Sequence, residues 1–297
     1  MVFSNIETAA HTWLADEWPE HLQFRTALGI PMDGEDILNH MVVPRTDQGL
    51  LSWAYVGTNH SATDRSRTLR LMYKNPPLYK NNPPHVIYPV GVRVQGFVDT
   101  CNLRPLGNWK RGSPPSSALQ CIVLSGGAGL DHQFSQYKAA ISEIITYIYR
   151  CLNVHRPTSE VQERSTIFAA RRVFTKINAR NCHLPSALGA GDDLTNDSAS
   201  VETNWKVLDK VNVGMFVPDD VDPTDGAFVS MDPFHLRSGD FVDVCLGFDI
   251  VSRGSRGGRT VQVHLTIDHI LLLSAAEKAT VVGPGPEVVE DVLGLRF

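Results

Sequence analysis

The segment from Phe241 to Leu273 constrains what this chain can fold into more than any other part of it. Its sequence, FVDVCLGFDIVSRGSRGGRTVQVHLTIDHILLL, alternates apolar and polar residues on both sides of the glycine-rich tip SRGSRGG. A period of two is typical of strands that bury one face, and a glycine-rich tip between two such runs indicates a hairpin. We therefore expect a sheet in which antiparallel pairing dominates.

Other periodic segments predict the remaining elements. Period-two patterns predict strands at 50–56, 67–74 and 90–98, and the short apolar run at 118–124 predicts a buried strand. Strand-like composition returns after residue 203. Apolar residues at three- and four-residue steps predict helices at 132–152 and 160–179.

The order of these elements predicts an α+β protein rather than a regularly alternating α/β one. We expect a mainly antiparallel, twisted sheet with two prominent covering helices, in its more specific form an OB-like, partly closed barrel. The expected organisation is an N-terminal helical segment over 1–48, a main domain over 49–275 and a C-terminal tail over 276–297. A helical insertion over 131–180 and a flexible linker over 188–200 interrupt the main domain.

Composition excludes several classes of protein. The chain has 297 residues and a formal net charge of −5, so attraction of a polyanion must be local. Five dispersed cysteines without a CxxC spacing argue against a disulfide framework. The first residues lack the features of a secretion signal, and no apolar run approaches the ~20 residues of a membrane helix. We expect a cytoplasmic or nuclear protein with no membrane partner and no cofactor.

Two basic features stand out against the negative net charge. Three arginines lie on the hairpin tip, where forked guanidinium groups can bind phosphate oxygens; the alternative is a tip that keeps the hairpin soluble. Alternation places Arg93, Gln95 and Phe97 on one face of the strand at 90–98, a mixture of cation and aromatic ring that single-stranded nucleic-acid binders use.

The leading hypothesis is a non-enzymatic protein that binds single-stranded DNA or RNA in a basic, aromatic groove. It requires the two basic features and the loop at 109–111 to converge. The expected contacts are Arg93, Phe97, Trp109, Lys110, Arg111, Arg253, Arg256 and Arg259.

A second hypothesis is an enzyme that acts on a phosphorylated small molecule at the loop SGGAG. Its phosphate-binding residues would be Ser125, Gly126, Gly127 and Gly129, between a strand and a helix. The spacing matches neither common phosphate-binding fingerprint, and a tight turn with Asp131 as the helix cap explains the loop equally well.

A third hypothesis is a self-assembling capsid or scaffold protein, in which sheet edges and the tails bind further copies of the chain. A homo-oligomer of this kind is distinguished from a nucleic-acid binder by its mass in solution.

Metal binding and catalysis have weaker support in the sequence. His264, Asp268 and His269 are close along the chain, but regular alternation points His269 away from the other two unless a bulge intervenes. A solvated polar face is the simpler interpretation of this strand and of Asp243 and Cys245 on the preceding one. The run VPDDVDPTDG does not match a calcium loop, and no nucleophile motif is present. We therefore predict neither a metal site nor a catalytic residue.

Overall fold

The computed structural model is mostly sheet. It describes residues 26–27, 43–44, 46–58, 69–74, 89–110, 112–157, 165–176, 205–208, 211–218, 226–255 and 258–276. The helices are α1 (Asp47–Trp53) and α2 (Gly127–Cys151). The strands are β1 (Thr26–Ala27), β2 (Ala54–Thr58), β3 (Leu69–Tyr73), β4 (Gly91–Asn102), β5 (Leu119–Ser125), β6 (Ile167–Arg172), β7 (Phe174–Lys176), β8 (Trp205–Val207), β9 (Asn212–Pro218), β10 (Gly226–Met231), β11 (Phe241–Ser255) and β12 (Gly258–Ser274).

The predicted hairpin, β11–β12, organises the main sheet. The order is β10-β9-β12-β11-β4-β5-β6, with β3 also paired to β11, β2 paired to β3, and β1 paired to β4. Pairing is antiparallel except at β1–β4 and β12–β9. The fold is therefore α+β with a mainly antiparallel sheet, as predicted, although the hydrogen-bonded path through the described strands does not close into a barrel.

One face of the central strands and one side of α2 form the main core. Ile144 and Ile148 of α2 have no exposed surface and pack in one cluster with the alternating valines of β4 and β11. Two tyrosines of α2 also bond to sheet backbone: the Tyr147 hydroxyl donates to the Ala54 carbonyl, and the Tyr149 hydroxyl donates to the Val261 carbonyl. Helix α2 confirms the helix predicted at 132–152. None of the helices in the described ranges is long and apolar enough to span a membrane.

The helix predicted at 160–179 is wrong. Residues 167–172 form β6, which pairs along its whole length with β5, and 174–176 form β7. The sequence IFAARR also alternates, since Ile167 and Ala169 are buried while Phe168 and Ala170 are half-buried. A segment this short fits both the helical period and the strand period of two. Pairing with β5 decides in favour of the strand.

The strand predicted at 50–56 is half wrong. Its first part is the end of α1, which begins where the Thr46 hydroxyl accepts a hydrogen bond from the Gly49 N–H, and Leu51 is exposed. The strand β2 begins only at Ala54. The strands predicted at 67–74, 90–98 and 118–124 are confirmed as β3, β4 and β5. The predicted N-terminal helices, linker and tail lie largely outside the described residues.

Candidate nucleic-acid interface

The predicted exposure of Arg93 is wrong, because it forms a buried ion pair with Asp243. Arg93 is 4% exposed and Asp243 is fully buried. The Arg93 Nε donates to Asp243 Oδ1 at 3.1 Å and Nη2 to Oδ2 at 2.5 Å, and the Gln95 amide adds a bond to Oδ2 at 3.1 Å. Burial lowers the pKa of Arg93, and the charge of Asp243 offsets part of that shift.

The prediction that the polar face of β11 is exposed to solvent is also wrong. Register places Cys245 opposite Arg93 and Asp243 opposite Gln95, and both β11 residues are fully buried. Opposite charges on neighbouring strands can neutralise each other at the centre of a sheet, so alternation alone does not establish which face meets water.

Phe97 is half-buried, with part of its ring against Phe241. The two ring centroids are 5.1 Å apart at an interplanar angle of 50°. Phe241, the cross-strand neighbour of Phe97, is 2% exposed, whereas Phe97 keeps part of its surface accessible to solvent.

Trp109 is held in a small separate cluster rather than presented freely. Its ring lies edge-on to Phe174 with centroids 5.8 Å apart, and its Nε1 donates to the Ser113 carbonyl at 3.1 Å. Lys110, next to it, is exposed. Arg111 lies outside the described residues.

The hairpin tip continues the β11–β12 ladder. Arg253 pairs with Thr260 and Arg259 pairs with Gly254, while Arg256 lies outside the described residues. Phe97 pairs with Phe241, twelve residues before Arg253 on β11. At about 3.3 Å per residue the tip is therefore of the order of 40 Å from Phe97 along the strand.

The turn that carries Trp109 lies on the other side of Phe97. Phe97 pairs with Ser125, and Leu119 is at the opposite end of the same strand. The Asn108 N–H donates to the Leu119 carbonyl at 3.0 Å, so the turn is docked about 20 Å from Phe97. Among the described residues, Phe97, the turn of Trp109 and the end of the β11–β12 ladder therefore lie apart along the sheet rather than in one compact groove.

The structure shows an aromatic surface that sequence reasoning missed. Val123, two residues from Ser125 on β5, pairs with Phe168, so Phe97, Val123 and Phe168 share one face of β4, β5 and β6. We call these three half-buried residues the aromatic face. The opposite face of β5 and β6 is buried and consists of Ile122, Leu124, Ile167 and Ala169.

Three exposed cations lie at one end of the aromatic face. Arg172 pairs with Leu119, and the Gln120 amide holds the Arg104 carbonyl at 2.9 Å. Lys110 follows the turn that is bonded to Leu119. We call Arg104, Lys110 and Arg172, all exposed, the basic rim. The alternation in IFAARR could have predicted β6 and the position of Phe168 on the aromatic face. The segment was instead interpreted as a helix.

The predicted phosphate loop is the start of α2. Strand β5 ends at Ser125, Gly126 caps the helix without a side-chain bond, and α2 begins at Gly127 with Gly129 in its first turn. The expectation that Asp131 caps the helix is wrong, because it lies four residues inside. Phosphate binding by this loop stays a prediction.

The residues considered for metal binding are regrouped by a bulge. Asp268 and His269 lie with Cys245 of β11, whereas His264 pairs with Asp249 farther along the hairpin.

No protein-family model matches the sequence, and no curated protein matches it. Among solved structures, two similar chains are single-stranded DNA-binding proteins of bacteriophages. The gp2.5 protein of bacteriophage T7 aligns with a TM-score of 0.34 and 9% identity over 66% of this chain and 98% of its own. The C-terminally truncated single-stranded DNA-binding protein of bacteriophage Enc34 aligns with a TM-score of 0.30 and 14% identity over 62% of this chain and 86% of its own.

Proposed function

We propose that this protein binds single-stranded nucleic acid, with the aromatic face as the stacking surface and the basic rim as the phosphate contact. The observation that supports this most strongly is that the half-buried rings of Phe97 and Phe168 share one face of β4, β5 and β6, with exposed Arg172 on the same strand as Phe168. Unpaired bases stack on such rings whatever their sequence, while cations neutralise the phosphates.

Arg93 has no part in this contact surface, because its guanidinium is committed to Asp243. It instead acts as a structural residue on β4, the strand that also carries Phe97. The negative net charge does not oppose the proposal, since fields of exposed charges fall off within about 8–10 Å at physiological salt and the basic rim is local.

Fluorescence anisotropy with a labelled oligothymidylate tests the stacking surface. Phe168→Ala removes one ring, which is worth about 1–3 kcal/mol and weakens binding about 5- to 150-fold. The matched control is Tyr55→Ala, which removes a half-buried ring from β2; strands β3, β11, β4 and β5 lie between β2 and β6. Its affinity is expected to be unchanged. A Phe168→Ala protein that keeps its circular dichroism and binds like the wild type contradicts the proposal.

Salt titration tests the basic rim separately. Arg172→Ala and Lys110→Ala should each flatten the slope of log affinity against log salt by about 0.7, the contribution of one phosphate contact on a single strand. Arg150→Ala removes an exposed cation from α2 and should leave the slope unchanged. Equal slopes in all three variants would exclude the rim as a phosphate contact.

We also propose outer contacts at the two ends of the sheet. The residues are Trp109, Arg111, which follows Lys110 in the sequence, and the three arginines of the predicted hairpin tip, Arg253, Arg256 and Arg259. The tip lies about 40 Å along β11 from Phe97, so only a long oligonucleotide can contact both. Replacing the three tip arginines by serine should therefore weaken binding of long oligonucleotides and leave short ones unaffected; an equal loss at every length speaks against this arrangement.

A further inference from the structure

Cys245, Asp268 and His269 form a compact set of metal-ligand groups at the base of the hairpin. The Cys245 thiol, a carboxylate oxygen of Asp268 and an imidazole nitrogen of His269 all lie within 4.8 Å of one another. Cys245 is fully buried, His269 is 5% exposed, and Asp268 is half-buried. The set is thus enclosed by the sheet and accessible to solvent on the side of Asp268.

A β-bulge is what brings the three groups together. Cys245 pairs with His269 and Leu246 pairs with Ile267, so Asp268 is the extra residue on β12. Regular alternation would point adjacent residues to opposite faces, whereas a bulge re-aims one of them. The bulge therefore lets two consecutive residues of β12 converge on one residue of β11.

The charges around the set favour a divalent cation. Arg93 pairs in register with Cys245 and forms an ion pair with Asp243. Cysteine binds zinc as the thiolate, so Cys245 and the carboxylate of Asp268 would together supply two negative charges to a bound metal ion. These two charges match that of a divalent cation.

The donor types select the metal. One sulfur, one nitrogen and one oxygen donor suit zinc, whereas magnesium and calcium take oxygen ligands. Zinc bonds of about 2.0–2.3 Å in tetrahedral geometry separate the donors by about 3.5 Å. Because all three donor atoms lie within 4.8 Å of one another, zinc binding requires each pair to approach by about 1.3 Å at most.

We propose that Cys245, Asp268 and His269 bind one zinc ion, with water or a further donor in the fourth position, and that the ion ties β11 to β12. This site is independent of nucleic-acid binding, since its residues belong neither to the aromatic face nor to the basic rim.

Metal analysis of the full chain tests the site. The protein is incubated with zinc and desalted, and its metal content is measured by mass spectrometry; about one zinc per chain is expected. Asp268→Asn and Cys245→Ser should each weaken zinc affinity at least about tenfold. The matched control on the same strand is His264→Gln, which should retain the wild-type content.

Cobalt substitution gives a second readout that does not depend on stability. The wild type, His264→Gln and Cys151→Ser should show thiolate-to-cobalt charge transfer, because Cys151 is exposed on α2. Folded Cys245→Ser should lack it. A folded wild type that retains no zinc, a charge-transfer band that survives Cys245→Ser, or an equal loss of zinc in His264→Gln overturns the proposal.

Discussion

The Arg93–Asp243 pair concentrates two opposite charges at the centre of the main sheet. Both side chains are almost fully buried, and Gln95 completes the hydrogen bonding of the carboxylate. A pair of this kind adds little net stability when intact, because desolvation of the charges consumes most of their attraction. Its effect appears when one partner is removed.

We expect Arg93→Met to lower the free energy of unfolding by about 3–5 kcal/mol, because Asp243 then remains as an uncompensated buried charge. The double variant Arg93→Met/Asp243→Leu should recover most of that loss, since it removes both charges together. Urea unfolding followed by circular dichroism measures both. A single variant that unfolds at the wild-type urea concentration would show that the pair is not buried.

At the scale of elements, the turn between β4 and β5 carries Arg104 and Lys110 of the basic rim and depends on glycine. Gly107 has a φ of +58°, and a Cβ atom there would lie 2.1 Å from the Leu119 carbonyl oxygen. Gly112 also has a positive φ, +88°, but a Cβ atom there would meet nothing within 4 Å. A side chain at Gly112 would add backbone strain alone, whereas one at Gly107 would add both backbone strain and a clash with β5.

Gly112→Ala should therefore cost about 1–2 kcal/mol of unfolding free energy, the backbone contribution alone. Gly107→Ala should cost clearly more, because the turn must also move away from β5, and it should weaken nucleic-acid binding through displacement of Lys110. Chemical unfolding and anisotropy on both variants check this. Equal losses of stability would mean that the turn is not docked on Leu119.

At the scale of the whole molecule, the free energy of unfolding at alkaline pH depends on a tyrosine of α2 that is buried by packing. Burial, and secondarily the charge of Asp243, raises the pKa of Tyr137 to about 12. An unfolded chain releases the same proton near pH 10. Between these values the unfolded state binds fewer protons than the folded one, so stability is present below pH 10 and is lost as pH rises towards 12.

Between pH 9 and pH 11, Tyr137→Phe should remove about 1 kcal/mol of this alkaline loss. Unfolding free energies at pH 9 and at pH 11 measure it, with Tyr55→Phe on β2 as the control that should lose stability like the wild type. A Tyr137→Phe protein with the wild-type loss would place the origin of the pH dependence elsewhere, for example at Tyr147, whose pKa burial also raises.

The sequence by itself determined the hairpin, the strands β3, β4 and β5, and helix α2, because periodicity over a long run is a local property that one segment displays alone. It did not determine β6, since six residues satisfy two periods and only pairing with β5 selects one.

Tertiary structure decided which polar faces meet water and which residues become neighbours. Arg93 is buried because Asp243 lies on the next strand, Cys245 meets Asp268 and His269 because of a bulge, and Phe97 shares a surface with Phe168 because β5 lies between their strands. Strand order and register join residues far apart in the chain, and free energy of burial depends on those partners rather than on the pattern of any single segment.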